Sequence, residues 1–557
     1  MTDTSTVTDL RSALALLADD PNSLLATDHP VDPAAELAGV YRRIGAGGTV
    51  MRPTRHGPAM VFNTITGYPG ARVLVGLMAD RARVARLLGA TPTPVGRHLA
   101  AALDNPVAPR VLGGQEANDA PCQQVVHLAT DPDFDIRTLL PAPTNTDVDA
   151  GPYFCLGLLH GTDPETGHSD VTIHRVCVQG RDELSVFFAP GRHIDAFRAK
   201  AEAAGRPLPI TINMGLDPAI QIGACFEAPT TPFGYDELQI AGGLRGRPVE
   251  LVPARTVDQL SIANAEVVIE GELLPGVRVR EDQNTGTGHA MPEFPGYDGP
   301  ANPALPLMRV TAVTTRHNPI VQTLVGPGEE HTSLVGIPTE ASLLRALDRA
   351  LPGLVTQVHA HTAGGGKLLA ILQVAKRADI DDGRARQAAL VALATYFELK
   401  NVILVNQDVD VFDTDDVLWA MTTRMAGDLD IVTVPGVVGH VLDPSQQPAY
   451  DPRLPVGGVT TKTIYDATYP GTCGRSSSGR GSGRWTPPPG SLPPGLGRPG
   501  ALTMGHPRER PQDRVPAVRR VIVGITGASG TVYGIRLLQA LHAMEGIEMH
   551  QVVSPCG

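Results

Sequence analysis

Positive charge is scarce in this chain, and so are cysteine, aromatic side chains and long apolar runs. Lys and Arg number 46 against 58 Asp and Glu, a formal net charge of -12 over 557 residues. That sign repels nucleic acid and anionic membrane surfaces, so neither is an expected partner and a small molecule is. No stretch approaches the ~18 apolar residues that a spanning helix needs. The first twenty residues carry acids where a secretory signal would carry a basic flank, which makes a cytoplasmic location the expectation. The six cysteines, Cys122, Cys155, Cys177, Cys225, Cys473 and Cys556, are too scattered for a disulfide framework and are expected as reduced thiols. Aromatics at 4%, beside 60 Gly and 50 Pro, reflect a bias toward small residues and carry no functional signature. What is present, 42% hydrophobic residues, supports packed cores in two to four domains and excludes a disordered or fibrous chain.

Up to about residue 470 the text is that of globular protein. Strand-like runs such as VTIHRVCV (171–178), EVVIEG (266–271) and VILV (402–405) alternate with helical patterns. The clearest of these is Arg384 to Lys400, where Leu390, Leu393 and Phe397 recur at helical spacing and predict an amphipathic helix. Residues 471–520 hold nine Arg, no Lys, two acids and nineteen Pro plus Gly, a composition that cannot build a core. From 521 the chain reads as strand, glycine turn, helix and strand, a βαβ unit too small to be a domain alone.

Three clusters could carry chemistry. The segment Glu281 to Pro306 is rich in Gly and Pro and presents His289 and Glu293 on a loop, where functional side chains are commonly displayed; an ordinary surface loop is the alternative. In Asp170 to His193, strand alternation puts Val171, Ile173 and Arg175 on one face. An arginine among apolar neighbours is costly to bury alone, so a carboxylate or phosphate should lie near it, in a site or in a structural salt bridge. The third cluster is Arg316, Glu329, Glu330, His331 and Lys367. GGGK ending at Lys367 is not a nucleotide loop, because His361 occupies the place of its first Gly and Leu368 that of its Ser/Thr. The acidic run Asp408, Asp410, Asp413, Asp415 and Asp416 reads as a helix-capping turn more than a cation site.

These residues sit in ten ordered blocks: DVTIHR, FFAPGRHID, YDELQIAGGLRG, NAEVVIEGE, HAMPEFPGY, QTLVGPGEEHT, HTAGGGK, DVLWAMTTR, GHVLDPSQ and KTIYDAT. Together they make residues 1 to about 470 resemble the UbiD-type decarboxylases that use prenylated FMN, and within them the hydroxyarylic acid decarboxylases acting on protocatechuate and gallate. The resemblance implies a mixed α/β fold: an N-terminal α/β region (1–115), a split β-barrel flavin domain (116–310) and a C-terminal α/β domain (311–470). The linker (471–520) and a fragment like the start of a flavin prenyltransferase (521–557) would follow.

It also implies a site. Asp170, standing where the family has Asn, would hold a divalent Mn2+ or Mg2+ against the flavin phosphate together with His193 and Glu237. Arg175 and Arg192 would join them in binding the cofactor, and K+ is a further cation such a site allows. Arg175 matches the family's catalytic arginine and Glu293 its proton-handling glutamate, whereas Gly288 stands at the position of the family's first glutamate. His331 and Lys367 match residues near the substrate hydroxyls, and His440 is a candidate of the same kind. The implied reaction is non-oxidative decarboxylation of a hydroxylated aromatic acid by a homo-oligomer, with a flavin prenyltransferase as cofactor supplier. A related decarboxylase of heteroaromatic or acrylic acids, and a catalytically silent flavin-binding subunit, are the rival readings. The abrupt change after KTIYDATYP implies a disrupted boundary between two coding regions, and hence a dispensable tail.

Overall fold

The computed structural model describes residues 7–44, 57–90, 95–189, 191–440, 442–446 and 458–469, and the backbones of two strands, Arg519–Ile525 and Ile547–Val553. Six antiparallel strands close on themselves: Val267–Val279, Leu208–Met214, Tyr153–Thr162, Ser169–Val178, Glu183–Val186 and Leu305–Thr315, the last pairing back to the first. Val125–Leu128 adds to the outside of Leu305–Thr315. Alternate residues of these strands fill the interior, with Ile210, Ile212, Val267, Ile269, Met308 and Val310 in one buried cluster. Closure needs a bend, and Val267–Val279 supplies one through a register shift at Glu270/Gly271. A Cβ at Gly271 would lie 2.2 Å from the Arg309 carbonyl oxygen, so only glycine permits that approach.

On the N-terminal side, Leu24–Thr27, Ala59–Phe62 and Arg72–Val75 form a sheet completed by Ile320–Gln322, which pairs parallel to Arg72–Val75. The chain then enters the helix Glu329–Ala350. A five-stranded sheet follows in the order Val355–Ala360, Leu369–Val374, Asn401–Asn406, Val459–Asp466, Ile431–Val438, with a parallel centre and antiparallel edges. The architecture is mixed α/β around a barrel, as expected.

The helix expected over Arg384 to Lys400 runs Asp381–Thr395, and its buried face differs from the expectation. Ala385, Ala388, Ala389 and Ala392 are fully buried with Leu393, while Leu390 and Phe397 are 44% and 46% exposed. Small side chains let this helix lie close on its sheet, and Phe397 falls beyond the helix end. The acidic run is a cap: Asp413 accepts from the backbone N–H of Asp415 and Asp416 at the start of Thr414–Arg424. The strongly Arg/Gly/Pro segment lies outside the described residues. In the separate unit from Gly483 onward, Arg519–Ile525 and Ile547–Val553 pair in parallel, as a βαβ unit requires; the connection between them is also outside the described residues. No helix among the described residues is long and apolar enough to cross a membrane.

Candidate active site

A cavity of about 490 Å³ is bounded by the barrel strand Ser169–Val178, the segments around Glu227 and Glu293, the start of helix Glu329–Ala350, and Lys367, Glu398 and His440 from the C-terminal sheet region. Its volume suits a bound ligand of cofactor size, and Leu156, Ile173, Met291, Leu324, Leu334 and Val335 give it apolar walls.

Arg175 has the carboxylate partners its strand face calls for, and there are two. Its Nε donates to Glu281 Oε1 at 2.9 Å and its Nη2 to Glu281 Oε2 at 3.1 Å, while Nη1 donates to Glu293 Oε1. The guanidinium also lies 3.9 Å from the Phe187 ring centroid. Burial pushes the Glu293 carboxyl above the usual range; Arg175 opposes that shift, and Glu281 adds to it. The result is a carboxyl group inclined to keep its proton inside a ligand-sized cavity.

Asp170, His193 and Glu237 present ligand atoms that all lie within 4.8 Å of one another. They arrive from a strand, from the first residue of helix His193–Ala203, and from the residue preceding helix Leu238–Arg245. Glu237 is buried and its Oε2 has no hydrogen-bond partner among the described residues. Two buried carboxylates converging with an imidazole, one oxygen of them unpaired, fit a hard or borderline divalent cation. Arg192, adjacent to His193, donates to Glu227 Oε1 at 2.6 Å.

Glu227 begins a ladder of charge along the cavity wall. Lys367 Nζ donates to Glu227 Oε1 at 3.0 Å, to Tyr396 Oη at 3.3 Å and to Glu398 Oε2. Glu398 Oε1 lies 3.2 Å from His440 Nε2, and His440 Nδ1 accepts from the Leu442 N–H at 3.0 Å. The first of these holds the proton on Nε2. All three Lys367 donors therefore have partners, and burial notwithstanding, Glu227 and Glu398 hold its ammonium firmly charged. His331 differs: its Nδ1 is buried without a partner among the described residues, and burial together with Lys367 and His440 pushes its pKa down to about 4. Phe294 packs edge-on against both His331 and His440, with centroids 5.7 and 4.8 Å away. Gly365, at φ 61°, makes room for that ring: a Cβ there would lie 2.2 Å from Phe294 Cδ2.

The structure thus brings Arg175, Arg192, Glu293, His331, Lys367 and His440 to one cavity. Asp170, His193 and Glu237 form a cluster beside it, joined through the Thr172 hydroxyl, which lines the cavity and donates to Asp170 Oδ2 at 2.9 Å. Other candidates lie elsewhere. His289 is exposed. Arg316 pairs with Asp9 at 2.7 Å. Glu330 accepts from the Gly76 and Met78 backbone N–H groups, and burial lifts its pKa to about 7. Glu227, Glu281, Glu398 and Phe187 were not singled out from sequence. The one available signal was an acid flanked by apolar residues, as in CFEAP and YFELK.

Known proteins resemble this chain over most of its length. Residues 17–103, 115–329 and 332–467 match the N-terminal, Rift-related and C-terminal domains of 3-octaprenyl-4-hydroxybenzoate carboxy-lyase, the three UbiD family models. A gallate decarboxylase of Lactiplantibacillus plantarum is 53% identical over 464 residues, 83% of this chain and 94% of the relative. The apo 3,4-dihydroxybenzoic acid decarboxylase of Enterobacter cloacae superposes with a TM-score of 0.81 at 64% identity, covering 85% of this chain and 96% of the other. An evolved dimeric form of the UbiD-class enzyme HmfF of Pelotomaculum thermopropionicum, in complex with prFMN, does so with a TM-score of 0.71 at 32% identity, covering 83% and 95%.

Proposed function

The chain belongs to the UbiD family of carboxy-lyases, and from that membership we propose that it decarboxylates hydroxylated aromatic acids of the protocatechuate, gallate or 4-hydroxybenzoate type, without oxidation, using prenylated FMN. The observation that carries the reading is Glu293, a buried carboxyl inclined to stay protonated, held by Arg175 in the same cavity as His331, whose Nδ1 has no partner among the described residues. Loss of CO2 leaves an electron pair on an sp2 ring carbon, and the bound prenylated flavin supplies the electron sink for it.

The chain's own residues do the rest. Arg175 orients Glu293, and Glu293 delivers the proton that replaces CO2 on the ring. His331, neutral, hydrogen-bonds a ring hydroxyl through its free Nδ1, which no described residue satisfies. Lys367, held charged by its two carboxylates, supplies a fixed polar group on the same side of the cavity, with His440 anchored on Glu398 behind it. Asp170, His193 and Glu237 would hold Mn2+ or Mg2+, with Arg192 as the neighbouring cation for a phosphate. Gly288 does not leave the site without a second acid, since Glu281 pairs with Arg175; a catalytically silent subunit is therefore not favoured. The test is a panel of benzoates, furoates and acrylates offered to flavin-loaded protein. CO2 and the corresponding phenol are expected from the hydroxybenzoates, and release from furoate or acrylate alone would overturn the assignment.

We further place the protein in the cytoplasm as a homo-oligomer supplied with cofactor by a flavin prenyltransferase. The four cysteines among the described residues are free, which suits a reducing compartment. Leu418 and Trp419 on helix Thr414–Arg424, and Leu429 and Val438 just before and on the edge strand Ile431–Val438, are each about half exposed or more and give a second copy apolar surface to cover.

A further inference from the structure

We propose that Glu227 is a specificity-determining residue: its open Oε2 accepts a hydrogen bond from the ring hydroxyl next to the one that His331 takes, so that the substrate is an acid with two adjacent free hydroxyls and its methyl ether is refused. The proposal rests on the decarboxylase reading above and deepens it.

Glu227 is held through one oxygen only. Arg192 Nη2 and Lys367 Nζ both donate to Oε1, at 2.6 and 3.0 Å, and Oε2 accepts from none of the described residues. The segment that carries it is fixed. Phe226 is buried in the core, and the Glu227 carbonyl accepts from the Thr230 and Thr231 N–H groups at 2.9 and 3.2 Å. The side chain lines the cavity and keeps 12% exposure, so Oε2 is open to a ligand there.

The rest of the ladder is committed. Lys367 gives its three N–H groups to Glu227, Tyr396 and Glu398, and the two Glu398 oxygens are taken by Lys367 and His440. His440 spends Nε2 on Glu398 and Nδ1 on the Leu442 N–H. Glu227 Oε2 and His331 Nδ1 are what remains. Both residues are neighbours of Lys367, which bonds Glu227 and whose charge helps to keep His331 neutral. Two open polar atoms grouped round one lysine match the two adjacent hydroxyls of a catechol ring. In the empty cavity water can satisfy Oε2. A bound ring displaces that water, and the carboxylate is then left unpaired unless the ring brings a donor. A methoxy group or a fluorine at that position brings an acceptor against an acceptor, which adds repulsion to the missing bond.

The test measures kcat/KM for protocatechuate and for 3-fluoro-4-hydroxybenzoate, whose fluorine takes the hydroxyl's place without its proton, in full-length flavin-loaded wild type and in Glu227→Gln. The variant keeps size and removes charge, and Lys367 keeps Glu398 and Tyr396. Fluorine also alters the electronics of the ring, but that change is common to both proteins and cancels when their ratios are compared. The preference for protocatechuate should fall about 10-fold in Glu227→Gln, the difference between a hydrogen bond to a charged acceptor and one to a neutral amide, with flavin retained. An unchanged preference would overturn the proposal and leave the decarboxylase reading in place. Loss of flavin would assign Oε2 to the cofactor and overturn it as well. Calorimetric affinities for catechol and 2-fluorophenol read the same preference without turnover. They decide the outcome if no hydroxybenzoate is decarboxylated and the functional reading fails, and, in wild type alone, if Glu227→Gln does not fold. Catechol should bind at least about 10-fold more tightly to wild type, and equal affinities would overturn the proposal.

Discussion

His193 Nδ1 lies 2.8 Å from Asp170 Oδ1, so the N-terminus of a helix and a barrel strand meet where the Glu237 carboxylate also arrives. Each of these three residues sits at or beside the start of an element, where the backbone is fixed by its neighbours and the side chain is free to converge.

Removing the imidazole should therefore cost the site its cation more than it costs the fold. His193→Ala is expected to yield protein with normal circular dichroism but little bound metal and flavin, because affinity falls steeply with ligand count. Elemental analysis and flavin absorbance check this; full occupancy of both would make His193 structural.

Lys367 stands between Glu227 and the buried Glu398, and its loss leaves Glu227 with Arg192 alone and Glu398 with His440 alone. Lys367→Met should destabilise the protein by about 3–5 kcal/mol, as breaking buried ion pairs does. Adding Glu398→Gln should recover part of that loss, because one stranded charge is gone. Chemical denaturation of the single and double variants gives the coupling directly.

Specificity should follow the unpartnered His331. A site built to hydrogen-bond a hydroxyl rejects analogues lacking it, since its own polar atom is left unpaired. Protocatechuate should be decarboxylated on the order of 10⁴-fold faster than benzoate in kcat/KM. Since His331 titrates near 4, its protonation should leave KM for protocatechuate flat above about pH 5. Equal rates on the two acids would take His331 out of the substrate site.

The family matches end at residue 467, before the Arg/Gly/Pro-rich text begins. Truncation after residue 470 is accordingly expected to leave decarboxylation unchanged, as measured by kcat/KM against the full chain. A large loss of activity would give the tail a role.

Much of this was readable in the chain, and for identifiable reasons. The strand carrying Asp170 and Arg175 announced itself by alternation, and Arg175 by its company of apolar residues, which demanded a counter-charge. The identity of that counter-charge was not readable. Glu281 and Arg175 are 106 residues apart and meet only because the barrel closes, a long-range fact that local spacing does not carry. The ladder through Glu227, Lys367 and Glu398 was hidden in the same way, since it draws on three separate segments. Leu390 and Phe397 face outward although hydrophobic spacing alone puts them inside, because close packing on the sheet selects the small alanines.

The central claim is that Glu293 supplies the proton that replaces CO2. Protocatechuate labelled with ¹³C in its carboxyl group, turned over in D2O by the flavin-loaded protein, tests it most directly. The account predicts one ¹³CO2 per catechol, a single deuterium at the carbon that lost the carboxyl, and at least a ~10²-fold slower reaction in Glu293→Gln with flavin retained. An oxidised ring product, or undiminished turnover in Glu293→Gln, would contradict it.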